Sequence, residues 1–261
     1  MNRSQKMTLG DYFNSKRILI TGASSGIGAE LAVQLSKLGA SLILTGRNQE
    51  RLAEVRSRCR GTTETICGDL LQADVIERIR TACDDGTLDL AILNAGTAHY
   101  ENAGVFKAET FNVLIQSNLV TMVNCIEAVI PSLIRCKGQL ALMSSLASYG
   151  GFPQSSGYGA GKAAIRNLAQ SLDLDLRPVG VPVSCVCPGF IKTPLTDQNR
   201  FKMPFLMDCE AAAKVILSGL QSQRHEIHFP KRLSLLLKFV MSLPASWQYR
   251  LLLRTTRSLS L

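Results

Sequence analysis

Short apolar runs alternate along this chain with longer stretches whose apolar residues recur at helical spacing. The runs at Arg17–Thr21, Ser41–Gly46, Thr63–Cys67, Leu88–Asn94, Gly138–Ser144, Val181–Cys187 and Glu226–Phe229 read as strands. Between them, Gly26–Leu38, Gln49–Cys59, Ala73–Asp84, Thr110–Ile130, Tyr158–Leu176 and Cys209–Ser222 read as helices. Strands that are apolar throughout, separated by amphipathic helices, imply a parallel sheet covered on both faces. The expected fold class is therefore α/β, a doubly wound parallel sheet of about seven strands, whose ligand sits beyond the strand C-terminal ends.

Two motifs fall at such ends. The first strand runs into Thr21-Gly22-Ala23-Ser24-Ser25-Gly26-Ile27-Gly28, and a helix follows. Glycines there admit close backbone approach, and a helix N-terminus presents free N–H groups, so the turn reads as a dinucleotide pyrophosphate site of Rossmann type. The second motif is Ser145…Tyr158-Gly159-Ala160-Gly161-Lys162. Tyr158 and Lys162, four residues apart on a helix, share one face. A phenol with pKa ~10 is a poor acid and base at neutral pH; an adjacent ammonium is expected to lower that pKa and make Tyr158 a proton donor and acceptor.

With these residues the chain resembles the short-chain dehydrogenase/reductase family, over residues 14 to 230. It has the T-G-x-x-x-G-x-G spacing, and further pieces follow in family order: Asn94-Ala95-Gly96 after a strand, Asn118 on a long helix running to Pro131, Ser145 thirteen residues before Tyr158, and Pro188-Gly189 with Thr193. The resemblance implies a catalytic set of Asn118, Ser145, Tyr158 and Lys162. Ser145 would hydrogen-bond the substrate carbonyl oxygen, Tyr158 would pass the proton, Lys162 would grip the nicotinamide ribose, and Asn118 would hold a water in a proton relay. It implies a cofactor shell of Gly22, Ser24, Ser25, Gly26, Ile27, Gly28, Asp69, Leu70, Asn94, Ala95, Gly96, Pro188, Gly189 and Thr193, together with Tyr158 and Lys162. Asp69 either contacts adenine or caps a helix. Family members using NAD place a carboxylate where Gly46 stands, and here Arg47 follows. Arg47 either pairs with a 2′-phosphate, which makes NADP the expected cofactor, or caps the next helix.

Composition narrows the setting. The length of 261 residues suits one α/β domain, here 14–230 with a C-terminal extension at 231–261. Met1 to Lys16 lacks an apolar secretory core, and eight cysteines without paired spacing suggest reduced thiols in the cytoplasm. Cys185 and Cys187 are expected to pack in the core. With only His99, His225 and His228, no zinc signature can be assembled, so no metal is expected.

The net charge is +9, but residues 224–261 carry +6 of it, so nucleic acid is not the expected partner. In the extension, Leu233, Leu236, Leu237, Val240 and Met241 form an apolar stripe opposite Lys231, Ser234, Lys238 and Ser242. That helix either lies on an anionic inner membrane surface, with Trp247 and Tyr249 at headgroup level, or packs over the substrate mouth or on a second subunit.

Candidate pocket residues are His99, Tyr100, Phe152, Gln154, Phe190, Met203, Phe205, Leu206 and Met207, a largely apolar set that favours a lipophilic small-molecule carbonyl or alcohol. A homo-oligomeric, NADPH-dependent oxidoreductase is the leading expectation. The alternatives are a 3-oxoacyl reductase in lipid synthesis and a non-catalytic NADP-binding sensor.

Overall fold

A computed structural model describes residues 7–100, 104–198 and 203–257. Residues 1–6 and 258–261, at the outer ends of the polar N-terminal stretch and of the extension, lie outside the described residues, as does the Arg257 side chain. Seven parallel strands form one sheet: β1 Arg17–Ile20, β2 Ser41–Gly46, β3 Thr63–Cys67, β4 Leu88–Leu93, β5 Gln139–Met143, β6 Val183–Pro188 and β7 Glu226–Phe229. Their order is β3-β2-β1-β4-β5-β6-β7. Because β1 pairs with both β2 and β4, the winding reverses there and opens a crevice at the carboxyl ends.

The helices are α1 Leu9–Phe13, α2 Gly26–Lys37, α3 Gln49–Arg58, α4 Ala73–Cys83, α5 Ala108–Ile115, α6 Thr121–Cys136, α7 Ser156–Leu176, α8 Cys209–Gln221, α9 Lys231–Ser242 and α10 Ala245–Arg257. Side chains alternate between the faces of each strand. Leu19, Ile43 and Ala91 therefore enter one core with α4, α6 and α7, while Ile18, Ile20, Leu42, Leu44, Leu90 and Ile92 enter the other with α2 and α8.

Most elements fall within two residues of their expected ends, but the long helix does not. It spans 108–136 with a π turn at Gln116–Val120, and passes through Pro131 rather than ending there. Propensity disfavours proline inside a helix; here the buried face made by Ile126, Val129 and Leu133 continues across it. The second C-terminal helix, α10, and the short α1 were not expected.

Candidate active site

The glycine turn is held by close packing. A methyl group on Gly22, whose φ is 65°, would lie 2.7 Å from Ala95 Cα. One on Gly28 would lie 2.4 Å from the Gly22 carbonyl oxygen and 2.6 Å from Asn94 Nδ2. Asn94 Nδ2 donates to the Thr21 and Gly22 carbonyls, both at 3.1 Å. The Thr21 hydroxyl in turn accepts from the Asn94 and Ala95 N–H groups at 3.0 and 3.1 Å. Thr21, which opens the motif, is thus a structural residue of the site. Ser25 precedes α2 without a side-chain cap bond, so the first N–H groups of that helix are available to an anionic group.

Arg47 follows β2 at the rim of the same cleft. The N-cap of α3 is Asn48, whose Oδ1 accepts from Arg51 N–H at 2.8 Å, so capping is done by Asn48 and not by Arg47. Arg51 adds a second guanidinium to the lining, a contribution legible only as the i+4 neighbour of Arg47. Asp69 Oδ1 accepts from Leu71 N–H at 3.0 Å, while α4 starts after Gln72. Asp69 therefore closes the turn ahead of that helix and does not cap it.

The expected catalytic residues meet at the ends of β4, β5 and β6. Ser145 leads into a 3₁₀ turn, Leu146–Tyr149; its Oγ accepts from Ala147 N–H at 3.1 Å and donates to the Pro188 carbonyl at 3.5 Å. Ser144 points to α7 and donates to the Lys162 carbonyl at 2.8 Å. Lys162 Nζ donates to the Met143 carbonyl at 2.9 Å and lies 5.8 Å from the centroid of the Tyr158 ring. Burial drives the Lys162 pKa down to about 8. Burial also raises the Tyr158 phenol above its ordinary value, and a hydrogen bond with Ser145 only partly offsets it. The expected lowering of that phenol is thus corrected for the protein alone: desolvation outweighs the Ser145 hydrogen bond, and the Lys162 ammonium, 5.8 Å from the ring centroid, does not reverse it.

Asn118 lies in the π turn, fully buried. Its Nδ2 donates to the Leu114 and Thr97 carbonyls at 2.8 and 3.0 Å, and its Oδ1 accepts from Thr97 N–H at 3.2 Å. A methyl on Gly96 would lie 2.6 Å from that oxygen and 3.3 Å from Lys162 Nζ, so glycine lets this segment pass between them. Thr193 lies over the turn from the other side, its Cγ2 3.1 Å from the point a Gly26 methyl would occupy. Thr196, not anticipated, pins that loop by accepting from Thr193 N–H at 2.9 Å and donating to the Ile191 carbonyl at 2.6 Å.

All the expected site residues except Gly28 line a single cleft of about 1370 Å³; Gly28 sits behind it against Gly22. Of the candidate pocket residues, Tyr100, Phe152, Gln154 and Phe190 line it, with the Tyr100 ring 6.0 Å from that of Tyr158. His99 lines a separate small pocket with Phe111 and Leu114. Met203, Phe205, Leu206 and Met207 do not line the main cleft; Phe205 and Leu206 face solvent, and Met207 packs on the core beside the Ile191 bridge.

The extension supplies much of the remaining wall. Leu233, Leu236, Leu237 and Val240 of α9 and Leu251 and Leu252 of α10 line the cleft. The apolar stripe of α9 thus packs over the mouth of the cleft, and part of the opposite, polar stripe also meets the body. Ser234 is buried on His228 at 2.7 Å, Lys231 reaches His228 Nε2 at 3.2 Å, and Lys238 pairs with Glu226 at 2.5 Å. A buried carboxylate and a half-buried histidine recruit the polar stripe, an attraction that helical periodicity alone does not reveal. Among the described residues no cluster of three His, Cys, Asp or Glu side chains could hold a metal ion.

The family model for short chain dehydrogenases matches residues 16–203. An uncharacterized oxidoreductase of Myxococcus xanthus is 35% identical over 232 residues, covering 87% of this chain and 92% of that protein. A 3-oxoacyl-[acyl-carrier-protein] reductase of Rickettsia prowazekii is 32% identical over 189 residues, covering 72% of this chain and 77% of that protein. A solved short-chain dehydrogenase from Sphingobium yanoikuyae, in complex with NADPH, superposes with a TM-score of 0.76 at 26% identity, covering 88% of this chain and 97% of that one.

Proposed function

Because the chain belongs to the short-chain dehydrogenase family and is an oxidoreductase of that family, we propose that it interconverts a carbonyl and an alcohol on a lipophilic substrate, with NADP(H) as cofactor. The observation that carries this reading is the meeting of Ser145, Tyr158 and Lys162 in a cleft whose further wall is the leucine-rich face of α9 and α10. The NADPH complex of the Sphingobium relative, together with Arg47 and Arg51 at the rim and no carboxylate at Gly46, supports the phosphorylated cofactor. The close-packed Gly22 turn and the N-terminus of α2 would hold its pyrophosphate, and Arg47 and Arg51 its 2′-phosphate.

The bound nicotinamide would supply the hydride chemistry. The remaining work falls to side chains. Ser145 turns its hydroxyl from the Pro188 carbonyl, a long bond at 3.5 Å, to the substrate oxygen and stabilises the charge that develops there. Tyr158 delivers its phenolic proton to the same oxygen. Lys162, within reach of both Tyr158 and the backbone, steadies the resulting phenolate, and Asn118 fixes the Thr97 segment across which proton return is relayed.

We propose a cytoplasmic setting, which fits the oxidoreductase relatives and eight cysteines without paired spacing in the sequence. We also propose a homo-oligomer, because Val113 on α5, Val123 and Ile134 on α6 and Leu174 on α7 are exposed. A narrower reading, reduction of a 3-oxoacyl group, is favoured by the Rickettsia relative and by Arg250 and Arg254 flanking the pocket-lining Leu251 and Leu252.

A panel of lipophilic ketones, aldehydes and 3-oxoacyl thioesters followed by NADPH absorbance tests both readings. Turnover is expected in wild type, and Tyr158→Phe should lower kcat by about 10²–10⁴-fold with NADPH affinity kept. A Tyr158→Phe enzyme that retains most of its kcat would overturn the mechanism, and a panel with no turnover would overturn the activity.

A further inference from the structure

The helices that wall the cleft also present a second surface. Leu235, Phe239, Trp247 and Tyr249 are exposed at 58%, 64%, 59% and 65%. Leu236 belongs to both sets: it lines the cleft and is 56% exposed, so one apolar side chain joins the cleft to the outer face. Arg232, Arg250 and Arg254 stand exposed around it, and from Ile227 to Arg257 the sequence has no acidic residue. Lys231 and Lys238 are engaged with His228 and Glu226, and Met241 packs on Gly150, so α9 is held with its other side to the body. Gln248 ties α10 to the end of α9 by donating to the Met241 and Leu243 carbonyls at 3.0 and 2.7 Å.

We propose that this face of α9 and α10 docks on an anionic lipid bilayer, and that lipophilic substrate passes from the membrane over Leu236 into the cleft. The docking claim stands on the surface alone; the passage of substrate rests on the function proposed above. Leucine and phenylalanine beside tryptophan, tyrosine and arginine is the chemistry of a helix seated at the headgroup boundary. A second copy fits less well. An isologous contact through this face would bring Arg232, Arg250 and Arg254 against the same arginines with no carboxylate to pair them. An acidic protein partner would answer the charge but leave the apolar residues without a matching surface.

The test uses the full chain and flotation with phosphatidylcholine vesicles, with and without phosphatidylglycerol, at low and high salt. Trp247, the chain's single tryptophan, reports directly. Flotation with anionic vesicles, weakened by salt, should accompany a blue shift of Trp247 fluorescence and quenching by brominated lipid. Reversing Arg232, Arg250 or Arg254 to Glu should weaken binding at least about fivefold per residue. Phe239→Asp should abolish it, with the melting temperature showing that the fold persists. Tyr158→Phe should bind vesicles like wild type, which keeps docking distinct from catalysis.

No flotation and no Trp247 shift at low salt would overturn the proposal. So would light scattering showing a dimer that Phe239→Asp dissociates, or capture of an acidic acyl-carrier protein by a chain that ignores vesicles.

Discussion

Lys238 Nζ lies 2.5 Å from Glu226 Oε1, joining the helix that covers the cleft to the last strand of the sheet. The same carboxylate accepts from Tyr149 OH at 2.9 Å and from Arg166 Nε and Nη2 at 3.1 and 3.0 Å. Tyr149 ends the 3₁₀ turn that begins after Ser145, and Arg166 lies one helical turn beyond Lys162. One side chain thus braces both segments that carry the proposed catalytic residues, and their cover. Burial alone would raise the Glu226 carboxyl, but the bonds from Lys238, Tyr149 and Arg166 outweigh it and hold it at about 2.

A depressed carboxyl contributes stability that is present above its ordinary value of 4.5 and is lost as pH falls toward about 2. Melting curves of wild type should therefore fall steeply across that window. Glu226→Gln should lower stability at pH 7 by about 1–3 kcal/mol and flatten the decline. An equally steep acid decline in the variant would mean that other carboxylates carry it.

Gly28→Ala should be among the most disruptive single-methyl additions in the chain. Its methyl would meet the Gly22 carbonyl oxygen at 2.4 Å and Asn94 Nδ2 at 2.6 Å, so either the turn or its Asn94 brace must move. Loss of dinucleotide binding by titration calorimetry, with a melting temperature several degrees lower, is expected. Gly151→Ala, where nothing lies within 4 Å of the added methyl, serves as the mild control.

The sheet and the glycine turn were legible in the sequence because each rests on local periodicity or spacing, and the candidate catalytic set because its residues match the pattern of the family. Leu88 to Leu93 is apolar enough to have no other home than a buried strand, and the Tyr158–Lys162 interval fixes a shared helix face. What escaped depends on distant partners. The side of α9 that faces inward is chosen by Glu226 and His228, and the phenol of Tyr158 titrates upward because surrounding segments exclude water from it. The π turn at Asn118 has no periodic signature of its own, for its side chain bonds to Thr97, in a segment that leaves β4.

Asn118→Ala should therefore act twice. It removes bonds that hold the Thr97 backbone and leaves the Thr97 N–H and carbonyl without their partner, at a cost of about 1–3 kcal/mol in stability. It should also slow proton return to Tyr158, so kcat should fall more than cofactor affinity does. A solvent isotope effect that grows in the variant would separate the relay from a purely structural loss; an unchanged isotope effect would leave Asn118 as a brace alone.

The proposed 2′-phosphate site is tested by charge removal at two positions that behave differently in the fold. Arg47 caps nothing, and the Asn48 side chain that does cap α3 bonds to the Arg51 backbone N–H, which substitution of the Arg51 side chain leaves in place. Arg47→Ala and Arg51→Ala should thus leave the melting temperature nearly unchanged. Each charge-assisted bond to phosphate is worth roughly 1.5–3 kcal/mol, so each variant should raise the KM for NADPH about ten- to a hundredfold while hardly affecting that for NADH. Fluorescence titration with both cofactors decides the matter. Equal losses for NADPH and NADH would place the two arginines on the shared part of the dinucleotide, and a wild type that prefers NADH would remove the phosphate site altogether.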